Sequence, residues 1–251
     1  MEFSEWRRSM AVSLSSVNYD GYIQSRCISI VPEVLKKSNE DAYTPRAVSI
    51  GPRFKGSRED LLLMEEIKIR CMMYLFHREQ HNMSAYEKLN ACCEVIWNLN
   101  DQIRASYVVE INMEQHELAE IMLVDGCFLL ELLISKGLDV ELPCQLKSPA
   151  PAPQLLSDED VLSDLALLEN QIPICVLHEL SRILFRYFSE CDMKERATTI
   201  NNLVLSILGY SRLDVQSIEA PHILDIVHFF VNEKGEIKSK TESCINQVIE
   251  I

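Results

Sequence analysis

A chain of 251 residues, 47% apolar and 25% charged, is sized for one large domain or two small ones and can bury a core without disulfide staples. Its formal net charge of −14 argues against a nucleic-acid partner or an anionic membrane surface, because the basic residues cluster only as the pairs Arg7-Arg8 and Lys36-Lys37. Nine cysteines without a C-x-x-C spacing, a charged start with no apolar signal core and no bilayer-length apolar stretch give the expectation of an intracellular, cytoplasmic protein.

Residues 1–19 read as a charged leader with helical potential, and the domain proper is placed at 20–232. Its first part, residues 18–58, is rich in Gly, Pro, Ser and Asn. Short β-compatible runs at Cys27–Val31 and Ala47–Ile50 alternate there with turns at Tyr43-Thr44-Pro45 and Gly51-Pro52. This pattern predicts extended chain laid over a helical core, with at most one short hairpin.

The period then becomes helical. From Glu59 to Arg78, Met64, Ile67, Cys71, Tyr74 and Leu75 recur at three- and four-residue intervals as one apolar face. Ser84 and Glu87 form a capping-box pair that opens a helix running to Arg104, with Leu89, Cys92, Cys93, Ile96 and Trp97 on its buried face. A third helix is expected from Asn112, with Gln115 three residues on, to Gly137. It is apolar nearly all round at Phe128–Ile134 and therefore central. Residues 139–157, with the run Ser148-Pro149-Ala150-Pro151-Ala152-Pro153, form a proline-rich loop. Helices follow from Ser157 to Asn170, from Pro173 to Phe188, at 195–208 and at 219–232, and a polar tail occupies 233–251. The expected fold is mainly α: a multi-helix single domain with an extended N-terminal segment containing at most short strands.

Complete catalytic and metal motifs are missing. His77 and His81 sit one helical turn apart, but Arg78 stands where a zinc protease needs Glu, and no third ligand is near in sequence. Cys92 and Cys93 point about 100° apart on a helix, which is unsuited to a shared tetrahedral metal. His222, Asp225 and His228 allow an imidazole–carboxylate bond without a nucleophile attached, which reads as structural. Neither G-x-S-x-G, G-x-x-x-x-G-K-[ST] nor G-x-G-x-x-G occurs. No catalytic, cofactor-binding or metal-ligating residue is assigned.

Six polar residues stand in apolar surroundings: Asp125 and Glu131 in the central helix, and Asp164, Glu169, Asn170 and Gln171 before Pro173. A buried charge costs several kcal/mol unless it is paired or hydrogen-bonded. These six are therefore expected to form a structural network; the competing reading is a ligand or acid/base site. Lys68 and Glu65, three apart, read as a surface pair worth tenths of a kcal/mol.

Six segments stand in order within a resemblance that covers roughly residues 20–230: Cys27-Ile28-Ser29-Ile30-Val31-Pro32, Ala42-Tyr43-Thr44-Pro45, Val48-Ser49-Ile50-Gly51-Pro52, Met64-Glu65 with Lys68, Met122–Glu131 (containing Asp125, Gly126 and Phe128) and Asp164–Pro173. Together they resemble the plant family catalogued as domain of unknown function 247. Two departures stand out: Arg53-Phe54-Lys55 replaces the aromatic and histidines that follow Gly-Pro in the family, and Ile30 replaces the Arg before Val-Pro. Family members are longer and end in a hydrophobic anchor, so the chain reads as a truncated or partial member, with peripheral membrane association through partners. The resemblance implies no established enzymatic activity. Some grass members are implicated in self-incompatibility, others in defence or development.

The expected function is a non-enzymatic protein–protein interaction or signalling module, with neither cofactor nor nucleic acid and with partner and oligomeric state left open. The alternatives are a small-ligand binder or enzyme using buried carboxylates, and a non-functional truncated product exposing a large apolar patch.

Overall fold

The computed structural model describes residues 27–78, 83–136, 159–210 and 220–234. Among them the elements are helical, in the order α1 (Glu33–Ser38), α2 (Leu62–His77), α3 (Ala85–Asn98), α4 (Asn100–Ala105), α5 (Gln115–Lys136), α6 (Glu159–Asp164), α7 (Ile174–Leu184), α8 (Arg186–Glu190), α9 (Met193–Ile207) and α10 (Ile223–Lys234). Single 3₁₀ turns at Glu40–Ala42 and Glu59–Leu61 precede α2. The mainly α expectation holds. The leader, the proline-rich loop and the tail beyond Lys234 lie outside the described residues.

α5 is the axis of the fold. Every residue from Ile121 to Ile134 is buried, because α2, α3, α4, α7 and α9 pack around it. Gly126 lets α7 come close: a Cβ there would lie 2.5 Å from Leu180 Cδ1 and 2.9 Å from Val176 Cγ1. α3 begins with the expected capping box of Ser84 and Glu87, and α9 with a second one formed by Asp192 and Glu195.

Several boundaries differ from the sequence reading. The helix expected to run to Arg104 is two, α3 and α4, joined at Leu99. Arg104 then donates to the carbonyls of Ile111 and Met113, each at 2.8 Å, and ties the following loop to α4. The face of α3 is narrower than expected, since Cys93 and Trp97 are exposed. α5 starts at Gln115 and not at Asn112; Glu117 accepts from the Glu114 N–H at 2.9 Å. The helix after Pro173 breaks at extended Phe185 (φ −128°, ψ 123°), whose fully buried ring meets Phe188 edge-on at 5.9 Å. Core burial outweighs helix continuity there. α6 ends at Asp164 instead of near Asn170.

Among the described residues the N-terminal segment, from Cys27 onward, forms no hairpin. Cys27 and Ile28 donate to the Ser106 carbonyl at 3.0 and 2.9 Å, and Ile28 makes a parallel bridge to Tyr107. Pro32 leads into α1, where Glu33 at the start and Lys36 and Lys37 at the end suit the helix dipole.

Candidate functional site

Residues Arg46–Gly51 run across the helix bundle as a strap, and side chains from α2, α5, α6 and the loop after α6 take the place of a neighbouring strand. Asp164, the last residue of α6, accepts from three successive amides: Arg46 N–H at 2.9 Å, Ala47 N–H at 2.7 Å and Val48 N–H at 2.8 Å. Asn170 Oδ1 accepts from Ile50 N–H at 2.7 Å, while its Nδ2 donates to Val48 C=O at 3.0 Å and Asp164 C=O at 2.9 Å. Asp125 Oδ2, in the middle of α5, accepts from Gly51 N–H at 2.7 Å. Lys68 donates to Ser49 C=O. Buried backbone groups must find partners, and here side chains from the helices and from the loop after α6 supply them.

Gly51 ends the strap with φ +77°. A Cβ at this position would collide with the Gln171 carbonyl oxygen and lie 3.2 Å from Tyr107 Oη, which donates to that same carbonyl at 2.9 Å. Gln171 itself donates to Leu165 C=O at 2.7 Å and Leu167 C=O at 2.9 Å, holding the turn after α6.

Lys68 corrects the sequence reading. It is fully buried, with Nζ 2.6 Å from Glu65 Oε1 and 2.7 Å from Asp125 Oδ1. The surface pair is in fact the centre of a charged cluster joining α2, α5 and the strap. Lys55 pairs with the other oxygen of Glu65. The signal lay in the spacing: positions 64, 68, 71 and 75 form one helical stripe, which turns Lys68 inward with Met64, Cys71 and Leu75.

Glu169 makes the second charged cluster. Oε1 accepts from Val31 N–H at 2.6 Å, Lys36 Nζ lies 2.9 Å from Oε2, and Arg53 Nε reaches Oε2 at 3.3 Å. Arg53 and Lys55, the basic residues at one departure from the family pattern, thus both enter the network. Glu131 lies apart from these clusters. It pairs with buried Arg78 at 3.2 Å, and the guanidinium sits 5.1 Å from the Tyr74 ring and 5.8 Å from Phe185. Arg78, Tyr107 and Lys88 were not anticipated. Lys88, also buried, donates to the carbonyls of Phe76 at 3.3 Å and Arg78 at 2.6 Å at the end of α2.

The electrostatics follow from burial against partners. Burial pushes the carboxyls of Asp125, Asp164 and Glu131 above the ordinary range, opposed by Lys68 and Gly51 N–H, by the strap amides, and by Arg78 respectively. At Glu65 burial also acts upward, but Lys68 and Lys55 prevail and hold it below the usual value. His77 is exposed and contacts Met73 C=O at 2.8 Å, while His81 lies outside the described residues. His222 Nε2 lies 3.1 Å from Asp225, as the spacing allows, and 3.3 Å from Cys27 C=O; His228 stays exposed beside Asn232. Among the described residues no group of three His, Cys, Asp or Glu could hold a metal ion, and no helix is long and apolar enough to cross a membrane.

An open cleft of about 180 Å³ adjoins the strap, lined by Ile28–Ile30, Pro52, Arg53, Tyr107, Val109–Met113 and Glu169. Of the six predicted polar residues only Glu169 borders it.

A family model described as a plant protein of unknown function matches residues 28–248. The UPF0481 protein At3g47200 of Arabidopsis thaliana is 35% identical over 185 residues, covering 68% of this chain and 37% of that protein. The putative UPF0481 protein At3g02645 of the same plant is 26% identical over 236 residues, covering 90% of this chain and 41% of its own length. The chain therefore spans about two fifths of the length of these curated relatives. No solved structure matches it. With most of the chain under the family model, and with the strap and its fasteners built from the segments that carry the resemblance, the chain belongs to the plant family of unknown function catalogued as domain of unknown function 247.

Proposed function

We propose that this domain is a non-enzymatic, intracellular protein–protein interaction or signalling module whose buried carboxylates are fasteners and not reagents. The observation that carries the reading is the engagement of Asp164 by three successive strap amides. A general acid or base needs a free lone pair or proton within reach of substrate. Asp125 faces Lys68 and Gly51 N–H, Glu131 faces Arg78, and Glu169 holds Val31 N–H, Lys36 and Arg53. The seven cysteines among the described residues are free thiols, which supports a reducing compartment.

The test pairs stability with association. Asp164→Asn and Asp125→Asn are expected to melt roughly 5–15 °C below the wild type, since the NH2 group that replaces one carboxylate oxygen cannot accept and the charge facing the buried donors is lost. A catalytic carboxylate behaves in the opposite way, because active-site residues are held at the expense of stability. A raised Tm in either variant would overturn the fastener role. Proximity labelling in plant tissue is expected to return a neighbour set distinct from that of an unrelated acidic control; an identical set would remove the interaction reading.

A further inference from the structure

The cleft beside the strap carries three features that point to one kind of occupant. Its volume of about 180 Å³ falls below the ~300–1,000 Å³ of pockets that enclose a drug-sized molecule and suits one amino-acid side chain. Its apolar rim continues outward, with Ile30 45% and Val109 44% exposed, as expected where a larger surface seats itself around an inserted anchor. Finally, Arg53 reaches Glu169 through Nε alone, and its side chain is half exposed. Glu169 is also met by Lys36 and Val31 N–H, so the guanidinium charge is not used up. The terminal nitrogens of Arg53 make no other bond among the described residues and keep their paired donors for a carboxylate, the geometry in which arginine binds best.

Glu110 lines the same cleft. It disfavours an acid on its own side and sets the direction in which an acidic ligand must lie.

We propose that this cleft docks an extended segment of a partner protein in which an apolar residue adjoins an aspartate or glutamate. The apolar side chain enters between Ile28–Ile30 and Val109–Met113, and the neighbouring carboxylate pairs with Arg53. The inference rests on the interaction-module reading and gives the partner its chemistry.

The test uses the full chain, isotope-labelled, titrated with a capped octapeptide carrying glutamate-leucine-glutamate at its centre. A second peptide has lysine in place of both glutamates, and a third has alanine in place of leucine. The first peptide is expected to shift the amide signals of residues 28–30 and 109–113, with a dissociation constant of roughly 0.1–1 mM for a single subsite. The lysine peptide is expected to bind about five-fold more weakly, the size of one partly exposed ion pair. Arg53→Gln is expected to erase that difference, and Ile30→Asp, a change at an exposed position that spares the fold, to abolish binding of all three.

Equal affinity for the acidic and basic peptides, an Arg53→Gln protein that still discriminates between them, or no cleft shifts up to about 5 mM peptide would overturn the proposal. Proximity labelling separates this failure from that of the broader reading. If Arg53→Gln and Ile30→Asp retain the wild-type neighbours, the cleft is wrong while the module stands. If the wild type itself labels no more than the acidic control, the module falls.

Discussion

Lys68 Nζ and Asp125 Oδ1 face one another at 2.7 Å with at most 1% of either side chain exposed, so two helices and the strap share one buried ion pair. Desolvating two charges costs about what their attraction returns, so such a pair fixes geometry more than it adds stability. Removing one partner is another matter. Lys68→Met is expected to cost roughly 3–5 kcal/mol, because Asp125 is left buried beside Glu65 without a cation. With Asp125→Asn added, which keeps an acceptor for Gly51 N–H, the loss should fall short of the summed single losses by roughly 1–3 kcal/mol. Urea unfolding of the four proteins measures this, and strict additivity would mean the two side chains do not act as a pair.

Asp164 makes a local prediction. Asp164→Ala strips the acceptor from the amides of Arg46, Ala47 and Val48 at once. The global loss is expected to be roughly 3 kcal/mol or more. The sharper readout is hydrogen exchange, where a peptide spanning residues 44–50 should lose protection while the centre of α5 keeps it. Uniform acceleration of all peptides would show that the strap has no opening equilibrium of its own.

Two glycines with similar backbones should answer differently to alanine. Gly51 has φ +77° and Gly56 has φ +69°. A Cβ on Gly56 meets nothing within 4 Å, so Gly56→Ala carries only the conformational cost, about 1 kcal/mol. Gly51→Ala would push against the Gln171 backbone carbonyl as well, which cannot swing aside. Its cost is expected to exceed that of Gly56→Ala by roughly 2 kcal/mol or more. Equal melting temperatures for the two variants would contradict the tight closure of the strap.

His178 gives the pH dependence a sign. Burial, with repulsion from Arg196, lowers its pKa from 6.5 to about 4, and no partner among the described residues meets its Nδ1. Between those values the unfolded chain binds more protons than the folded one, so stability is present above the unfolded pKa and lost as pH falls toward 4. The contribution is on the order of 2–3 kcal/mol. His222, also lowered by burial, acts in the same direction, while the raised carboxyls of Asp125, Asp164 and Glu131 act in the other. The decisive quantity is therefore the difference between wild type and His178→Gln across pH 4.5–7.5, which should narrow as the solution is acidified.

Periodicity and turn chemistry made the helices legible, together with the centrality of α5 and the presence of six polar side chains in apolar surroundings. They are local or nearly local signals. What they could not reveal is which distant group each side chain meets. A Lys three residues after a Glu reads as a surface pair until a carboxylate on another helix draws it inward, as Asp125 draws Lys68. The break at Phe185 has the same origin, since no rule within Pro173–Phe188 announces that one ring must leave the helix to fill the core. Arg53 looked like the loss of a family feature, and its bond to Glu169 became visible only once residues far apart in the chain were brought together.

Most of the strap's fasteners lie far downstream of it in the order of synthesis. Ile50 and Val48 wait for Asn170, across separations of 120 and 122 residues, and Val31 waits for Glu169 across 138. On the ribosome Lys68 follows the Ser49 carbonyl by only 19 residues, but the amides of Arg46–Val48 and of Ile50 emerge long before Asp164 and Asn170 can latch them, and the apolar side chains among them stay available to chaperones until the chain has passed that point. Such long-range closure slows folding. The earliest part of the domain to be made is thus among the last to become native.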